Sequence, residues 1–319
     1  MAVYTHVPAE EMEALLERYG VGTLVSAKGI AEGVENSNYL VDTTEQRFIL
    51  TLYEKRVDVA DLPFFLALLD HLADKGLPVP RALADRNGTQ LQTVAGRPAC
   101  LIEFLQGVSV SHPTAAQAYA TGEALGQMHA ALADFDGQRA NALGLEGWAA
   151  LAQRCGADLD AIQPGLQARV QDELRYLADN WPGELPRSVV HADLFPDNVL
   201  MLGDKVSGII DFYFAAQEVR AWDVAVTQAA WCFENDGTGF DADRAAALIA
   251  GYDASFGLSA AERAAFPALA RGACLRFLLT RAWDWLNTPA DALVTRKDPL
   301  AFLRRLDFYR DAVPETLGL

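Results

Sequence analysis

The sequence predicts an α+β chain in which a small antiparallel-sheet lobe precedes a larger helical lobe. Three observations lead there. Short β-rich runs punctuated by turn residues fill roughly the first third, with a helix ahead of them and one among them. From "QGVSVSHPT" (106–114) onward, apolar residues recur at helical spacing almost to the end. One β hairpin, within 189–212, interrupts that helical stretch. The boundary is therefore expected between 1–105 and 106–319. A chain of 319 residues, 51% hydrophobic, can bury the cores this requires.

The elements follow in order. "MAVYTHVPAEEMEALLERYG" reads as a helix with Pro8 at its first turn and Gly20 as its stop. "LVSAKGIA" and "NYLVDT" are strand candidates on either side of "EGVENS". "RFILTLYE" follows the polar turn "TEQ" as a third strand. "DLPFFLALLDHLADKG" has helical periodicity and ends on Gly76. The pair Asn87-Gly88 signals a hairpin leading into "TQLQTV" and then, after "AGR", "PACLIEFL". That makes a five-stranded antiparallel sheet with one crossing helix. Beyond the boundary, periodicity predicts helices at 113–135, 165–181, 221–235, 241–255, 260–287 and 298–311. Ligands commonly bind in the cleft between two such lobes.

The charge balance narrows the partners. Forty-three acidic residues against 26 basic ones give a formal net charge of -17. Such a field repels nucleic acid and anionic lipid, so neither is an expected partner. An anionic substrate has to be held by local donors and a cation. The N-terminus lacks a basic region followed by an apolar core, and no run reaches the ~18 apolar residues that span a bilayer. Cys100, Cys155, Cys232 and Cys274 are widely spaced, which suits reduced thiols in a cytoplasmic protein rather than a zinc site.

The stretch "VVHADLFPDNVLMLGDKVSGIIDF" (189–212) crowds small oxygen-bearing side chains around the hairpin. A turn centred between Asp204 and Lys205 pairs Asn198 with Asp211. Directly opposed residues on antiparallel strands have Cβ atoms ~5 Å apart. An amide oxygen beside a carboxylate suits Mg2+, which keeps waters and takes further ligands from phosphate. Asp193, in the preceding loop, can face the same spot. Local turn capping explains each of these residues singly. It does not require the symmetric placement of 198 and 211, nor the apolar strands leading to both.

These residues carry a resemblance. "His191-Ala-Asp193-Leu-Phe-Pro-Asp197-Asn198" followed by "Ile210-Asp211-Phe212" resembles the catalytic segment of the aminoglycoside phosphotransferase-like kinases, which have a two-lobed protein-kinase-like fold. Within that superfamily the chain looks most similar to the phosphotransferase-like homoserine kinases of bacteria, along "GVENSNYLV", "LPFFLALLDHLADKGLPVP", "WDVAVTQAAWC", "LRFLLTRAWDW" and "KDP" at 297–299. The resemblance implies Mg-assisted phosphorylation of the homoserine hydroxyl by ATP, in threonine biosynthesis. Asp193 is then the catalytic base, Asn198 and Asp211 hold Mg2+, His191 braces the loop and Asp223 steadies it from the following helix. It implies that Gly33, Asn36, Ser37 and Asn38 cover the nucleotide phosphates, and that the backbone of Glu103 to Leu105 pairs with adenine. No GxxxxGK[ST] occurs, so a P-loop is excluded.

One position departs from that pattern. Kinases of this type carry a cation on the third strand against the α- and β-phosphates. Here Thr51 holds that place, and Lys55 lies ~13 Å further along a straight strand. Either Lys28 or Arg47 replaces it, or Mg2+ carries more of the charge; Asp61 matches the partner acid only loosely. For the substrate, a zwitterion needs a carboxylate partner, and the planar fork of arginine fits two oxygens. Arg276 is the first candidate and Arg281 the second, with an Arg281–Asp284 helix pair as the alternative use of the latter. Trp222, Trp231, Trp283 and Trp285 read as core rather than as a cage for a quaternary amine. A kinase for choline, ethanolamine or an amino sugar, or a nucleotide-binding regulator without catalysis, remains as an alternative.

Overall fold

The computed structural model describes residues 4–30, 36–54, 57–288 and 296–319. The chain divides into two compact units, Met1–Gln106 and Gly107–Leu319.

In the first unit, helix α1 (Ala9–Tyr19) starts after Pro8 and stops at Gly20, whose left-handed φ of 69° lets its N–H close on the Leu16 carbonyl. Five strands follow: β1 (Leu24–Gly29), β2 (Ser37–Thr43), β3 (Arg47–Leu52), β4 (Gln92–Val94) and β5 (Arg97–Glu103), with helix α2 (Leu62–Asp74) between β3 and β4. The order across the antiparallel sheet is β1-β2-β3-β5-β4. Strand alternation puts Tyr39, Val41, Phe48, Leu50, Leu52, Ala99 and Leu101 on one face, where Met12, Leu15 and Leu16 of α1 cover them. The β4–β5 hairpin turns at Ala95-Gly96, both with positive φ. Asn87-Gly88 makes no hairpin of this sheet. It sits in a local turn that Asp85 closes, its carbonyl accepting from Gly88 N and its carboxylate from the amides of Asn87 and Thr89. Side-chain capping explains that Asn-Gly pair better than strand pairing does.

The second unit contains helices α3 (Ala115–Ala131), α4 (Leu145–Cys155), α5 (Leu159–Ile162) and α6 (Leu166–Asn180), then strands β6 (Arg187–Val190), β7 (Val199–Leu202), β8 (Lys205–Ile209) and β9 (Ala216–Val219). Helices α7 (Arg220–Trp231), α8 (Ala242–Ser255), α9 (Ala260–Asn287) and α10 (Leu300–Asp311) complete it. Thr114 and Gln117 form a capping box on α3, and Ser259 and Glu262 one on α9. Helices α3 and α8 approach backbone to backbone. A Cβ on Gly122 would lie 2.0 Å from the Leu248 carbonyl oxygen, and one on Gly251 2.0 Å from that of Tyr119. Trp148, Trp222 and Trp231 are fully buried in this unit, as core packing requires. Trp283 instead lies beneath Arg154, 3.9 Å from its guanidinium, and Trp285 is exposed beside Arg296. All four cysteines are free and buried. No helix among the described residues is long and apolar enough to cross a membrane.

Two features of this unit lay outside the sequence expectation. Helix α4 buries Trp148, Leu151, Ala152 and Cys155 at the spacing of one helical face. Strands β6 and β9 form a two-stranded ladder, Arg187 opposite Val219 and Val190 opposite Ala216, which places the end of β6 and the start of α7 side by side.

Candidate active site

The loop 191–198 joins the end of β6 to the start of β7. His191 at its entry is fully buried. Its Nε2 lies 2.9 Å from the Ile210 carbonyl oxygen, and its Nδ1 accepts from the Asp193 amide at 3.2 Å. These partners assign the proton to Nε2. Burial lowers the imidazole pKa, the nearby Arg276 cation adds to that, and Asp223 and the Ile210 bond oppose it; the net shift is downward. A neutral His191 thus ties the amide of Asp193 to the strand end that precedes Asp211.

Asn198 closes the loop. Its side-chain amide donates to the Asp193 carbonyl at 2.7 Å and lies 3.2 Å from Asp193 Oδ2. With Nδ2 committed to Asp193, Oδ1 is the end left to accept. Asp193 itself is half-buried.

The β7–β8 register differs from the expected one. Val199 pairs with Ile209 and Leu200 with Gly208, then Met201 with Val206 and Leu202 with Lys205. The turn is Gly203-Asp204, and Ser207 is an extra residue on β8, its hydroxyl donating to the Leu200 carbonyl. Asn198 therefore faces Ile210, whose N–H donates to the Asn198 carbonyl at 3.0 Å, and Asp211 is one residue beyond. A one-residue offset would aim a strand side chain at the opposite face. Asp211 is not in strand conformation, however: its φ and ψ of 66° and 58° are left-handed. Such a conformation in a non-glycine residue is uncommon and marks a locally held backbone. Asp211 is exposed.

The chemistry of this donor set fits Mg2+. Asn198, beside the Asp193 carboxylate, offers an amide oxygen, and Asp211 offers a carboxylate; both are hard ligands. Among the described residues no group of three or more His, Cys, Asp or Glu side chains is placed to hold a metal. A cation here would complete its shell with water and phosphate oxygens, as Mg2+ does.

The loop rests on buried charges. Asp223, in the first turn of α7, is wholly buried. Its Oδ2 accepts from His191 N at 2.7 Å and its Oδ1 from Ala192 N at 2.8 Å. Burial alone would raise its pKa, yet the His129 hydrogen bond and the surrounding partners hold it below the usual carboxylate value. His129 of α3 lies 3.2 Å from Asp223 Oδ2 through Nε2 and 2.9 Å from the Tyr252 hydroxyl through Nδ1. Trp231 Nε1 donates to the Leu194 carbonyl at 2.9 Å. Sequence reading missed His129 and, having read Trp231 as core, missed its bond to the loop, since one polar atom on an apolar helix leaves no pattern.

Arg276 belongs to this support. It is 2% exposed, packs its guanidinium 4.3 Å from the Phe277 ring and 5.0 Å from the Phe214 ring, and donates to the Ala192 carbonyl. Where a partner for a substrate carboxylate was expected, the structure places Arg276 buried against the loop, its guanidinium bracing the Ala192 peptide. Ala192 has a left-handed φ of 65° and is held on both sides, its N–H by Asp223 and its carbonyl by Arg276. Arg281 is only partly buried and donates to the Asp298 carbonyl at 3.3 Å. Burial and the neighbouring Arg305 lower its pKa to about 10, against the pull of Asp193, Asp197 and Asp298. It remains a cation at neutral pH, in the field of Asp193 and Asp197 of the 191–198 loop.

In the first unit, Gly33 and Lys55 lie outside the described residues. Ser37 is fully buried and its hydroxyl is in use: it donates to Glu54 Oε1 at 2.7 Å and accepts from the amides of Tyr4 and Thr5. That corrects its expected place among the phosphate donors. Asn36 is buried and accepts from Glu54 N. Asn38 pairs across the sheet with Thr51, whose hydroxyl donates to its Oδ1 at 2.7 Å. Register places Lys28 opposite Leu40 and Leu40 opposite Ile49, so Lys28 shares the sheet face of Asn38 and Thr51. Arg47 is engaged by Asp42 at 2.6 Å and stands at the other end of β3 from Thr51. The Glu103 amide donates to the Arg81 carbonyl, and its carboxylate accepts from Arg81 N. Leu105 follows the end of β5, partly exposed.

A five-stranded antiparallel sheet with a helical second unit, and a loop of this construction ending on Asn198 with Asp211 beyond, define a phosphotransferase of the protein-kinase-like class. Residues 26–265 match the phosphotransferase enzyme family (APH), and the chain belongs to that family. It is 58% identical to the homoserine kinase of Zymomonas mobilis subsp. mobilis over the full length of both. It is 56% identical to that of Azorhizobium caulinodans over 97% of this chain and 96% of that one. Among solved structures it resembles the spectinomycin phosphotransferase APH(9)-Ia with a TM-score of 0.72, at 14% identity over 98% of this chain and 99% of the other. A microcompartment-associated aminopropanol kinase matches with a TM-score of 0.68, at 19% identity over 95% and 94%. These structural likenesses show the fold.

Proposed function

We propose that this protein phosphorylates the hydroxyl of L-homoserine with ATP. The observation that carries the reading is identity of 58% to a homoserine kinase from end to end, in a chain whose Asn198 side chain lies 3.2 Å from Asp193 Oδ2. Kinases for choline, ethanolamine or amino sugars, and a regulator without catalysis, are not favoured.

The chemistry follows from the loop. Asp193 accepts the proton of the substrate hydroxyl as its oxygen attacks the γ-phosphorus. The bond from that phosphorus to the β–γ bridging oxygen breaks, giving O-phosphohomoserine and ADP. Asn198 Oδ1 and the Asp211 carboxylate would hold Mg2+, which when bound would supply positive charge against the phosphate oxygens. His191, Asp223, Arg276 and Asn198 fix the Asp193 carboxylate beforehand, so acceleration comes mainly from positioning and electrostatics. Arg281 keeps the substrate flank cationic. On the sheet of the first unit, Asn38 and Lys28 address the phosphates, and the backbone from Glu103 to Leu105 addresses adenine. The reading places the enzyme in the cytoplasm and its product in threonine biosynthesis.

ADP release by the purified protein tests this, with homoserine, choline, ethanolamine and an amino sugar each offered with Mg2+ and with EDTA. Turnover is expected with homoserine and Mg2+ alone. Preference for choline, or no ADP release with any alcohol, refutes the proposal.

A further inference from the structure

The second unit carries an ion pair that the loop's own chemistry does not use. Lys297 Nζ lies 3.4 Å from Asp197 Oδ2, and both side chains are open to solvent, 63% and 61% exposed. An exposed pair of this kind adds little net stability, so it opens at small cost. Its place is what matters. Asp197 directly precedes Asn198, whose amide nitrogen lies 3.2 Å from Asp193 Oδ2. Lys297 stands 6.0 Å above the Phe195 ring of the same loop.

That ring belongs to an aromatic floor. Phe195 packs on Phe277 at 4.7 Å and on Phe302 at 6.0 Å between centroids. Arg281 lies 4.5 Å over Phe302 and donates to the Asp298 carbonyl, which anchors the segment that carries Lys297. Phe302 is fully buried and Phe277 nearly so, which leaves the partly exposed Phe195 ring as the apolar surface; with one anion and one cation at its rim, it suits a ligand with a short methylene chain and a zwitterionic head.

We propose that Asp197 and Lys297 form the subsite that recognises both charges of the amino-acid substrate. The pair opens, Asp197 receives the ammonium group and Lys297 the carboxylate. The hydroxyl at the far end of the methylene chain then reaches Asp193. A second consequence is exclusion. A plain cation such as ethanolamine can use the Asp197 half but meets the Lys297 charge without a carboxylate to offset it. This inference rests on the homoserine reading and extends it to specificity.

Two single variants and one swap test it in the full-length protein. Lys297→Met and Asp197→Asn are each expected to raise the KM for homoserine about 10-fold or more, the scale of one charge-assisted hydrogen bond, while the KM for ATP moves less than about twofold. Lys297→Met should also improve kcat/KM for ethanolamine relative to homoserine. Asp197→Lys combined with Lys297→Asp restores an ion pair with inverted polarity. If the pair merely holds the loop, that swap recovers the homoserine KM, and the proposal is overturned. A KM that stays high in the swap supports it. Unchanged homoserine KM in both single variants, or a KM for ATP that rises in step, also overturns it. Wild-type protein that ignores homoserine defeats the functional reading instead, and separates the two failures.

Discussion

Asp223→Asn isolates what the buried carboxylate under the loop contributes. In the native protein two oxygens serve two backbone amides, His191 N at 2.7 Å and Ala192 N at 2.8 Å, with His129 Nε2 at 3.2 Å as a third neighbour. An asparagine keeps the shape and supplies one oxygen. Whichever way its amide is turned, an NH2 group faces a buried N–H, and that amide loses its acceptor. Leaving one buried group unpaired costs about 1–3 kcal/mol, and the surviving bond loses its charge-assisted part, about 1 kcal/mol more. The sum, about 2–4 kcal/mol, is a large part of a typical stability of ~5–15 kcal/mol. At ~2–4 °C per kcal/mol for a protein of this size class, Tm should fall by about 5–15 °C. Activity should fall more than stability alone explains, because Ala192 holds a left-handed φ of 65° that Asp223 supports, and Asp193 is the next residue. A displacement of ~1 Å at a catalytic group costs about 100-fold in rate. Calorimetry and a coupled ADP assay at a temperature where the variant is fully folded measure both quantities. A variant melting within about 1 °C of wild type with near-normal kcat would refute the claim that this carboxylate sets the loop.

Asp193→Asn should lower kcat at least ~100-fold and leave nucleotide affinity intact in titration calorimetry. Asp211→Ala should abolish the Mg2+ dependence of ATP binding and lower Tm only by the cost of an alanine at a left-handed φ, ~1 kcal/mol; unchanged affinity would move the metal elsewhere. Lys28→Met should raise the KM for ATP several-fold and leave that for homoserine alone, whereas Arg47→Met, whose guanidinium is engaged by Asp42, should do neither. His191 supplies a pH signature. Its folded pKa is lowered, so the unfolded chain takes up the proton first as pH falls through about 6.5. Its contribution is intact above that pH and is lost as acid is added, so His191→Gln should flatten the slope of Tm against pH between about 5 and 7.

The fold class was legible because two periodicities occupy separate parts of the chain. Alternating runs such as "RFILTL" face a single helix, and the long apolar helices repeat every three to four residues. Strands β6 and β9 are four residues each, too short for alternation to register. Helix α4 did show its spacing, in Trp148, Leu151, Ala152 and Cys155, and could have been found by it. The hairpin was legible as a hairpin, but its register was not. The sequence cannot say that the turn falls at Gly203-Asp204 or that Ser207 bulges, because both depend on how β8 meets the rest of the unit. Arg276 shows the limit of residue type as a guide. An arginine on an otherwise apolar stretch of helix suggests a ligand, yet Arg276 donates to the carbonyl of Ala192, a residue at positive φ in the same protein.

The buried cysteines make the native fold its own chemical reporter. Burial raises every thiol pKa, that of Cys100 to about 11 and those of Cys232 and Cys274 further, with Cys155 shifted the same way. Alkylating reagents attack the thiolate, so the folded chain should resist them at neutral pH and the opened chain should not. The rate of thiol capture then reads the frequency of opening at four depths of the structure at once. A fifth cysteine placed on an exposed segment would take a fluorophore or spin label alone, without removal of the native four.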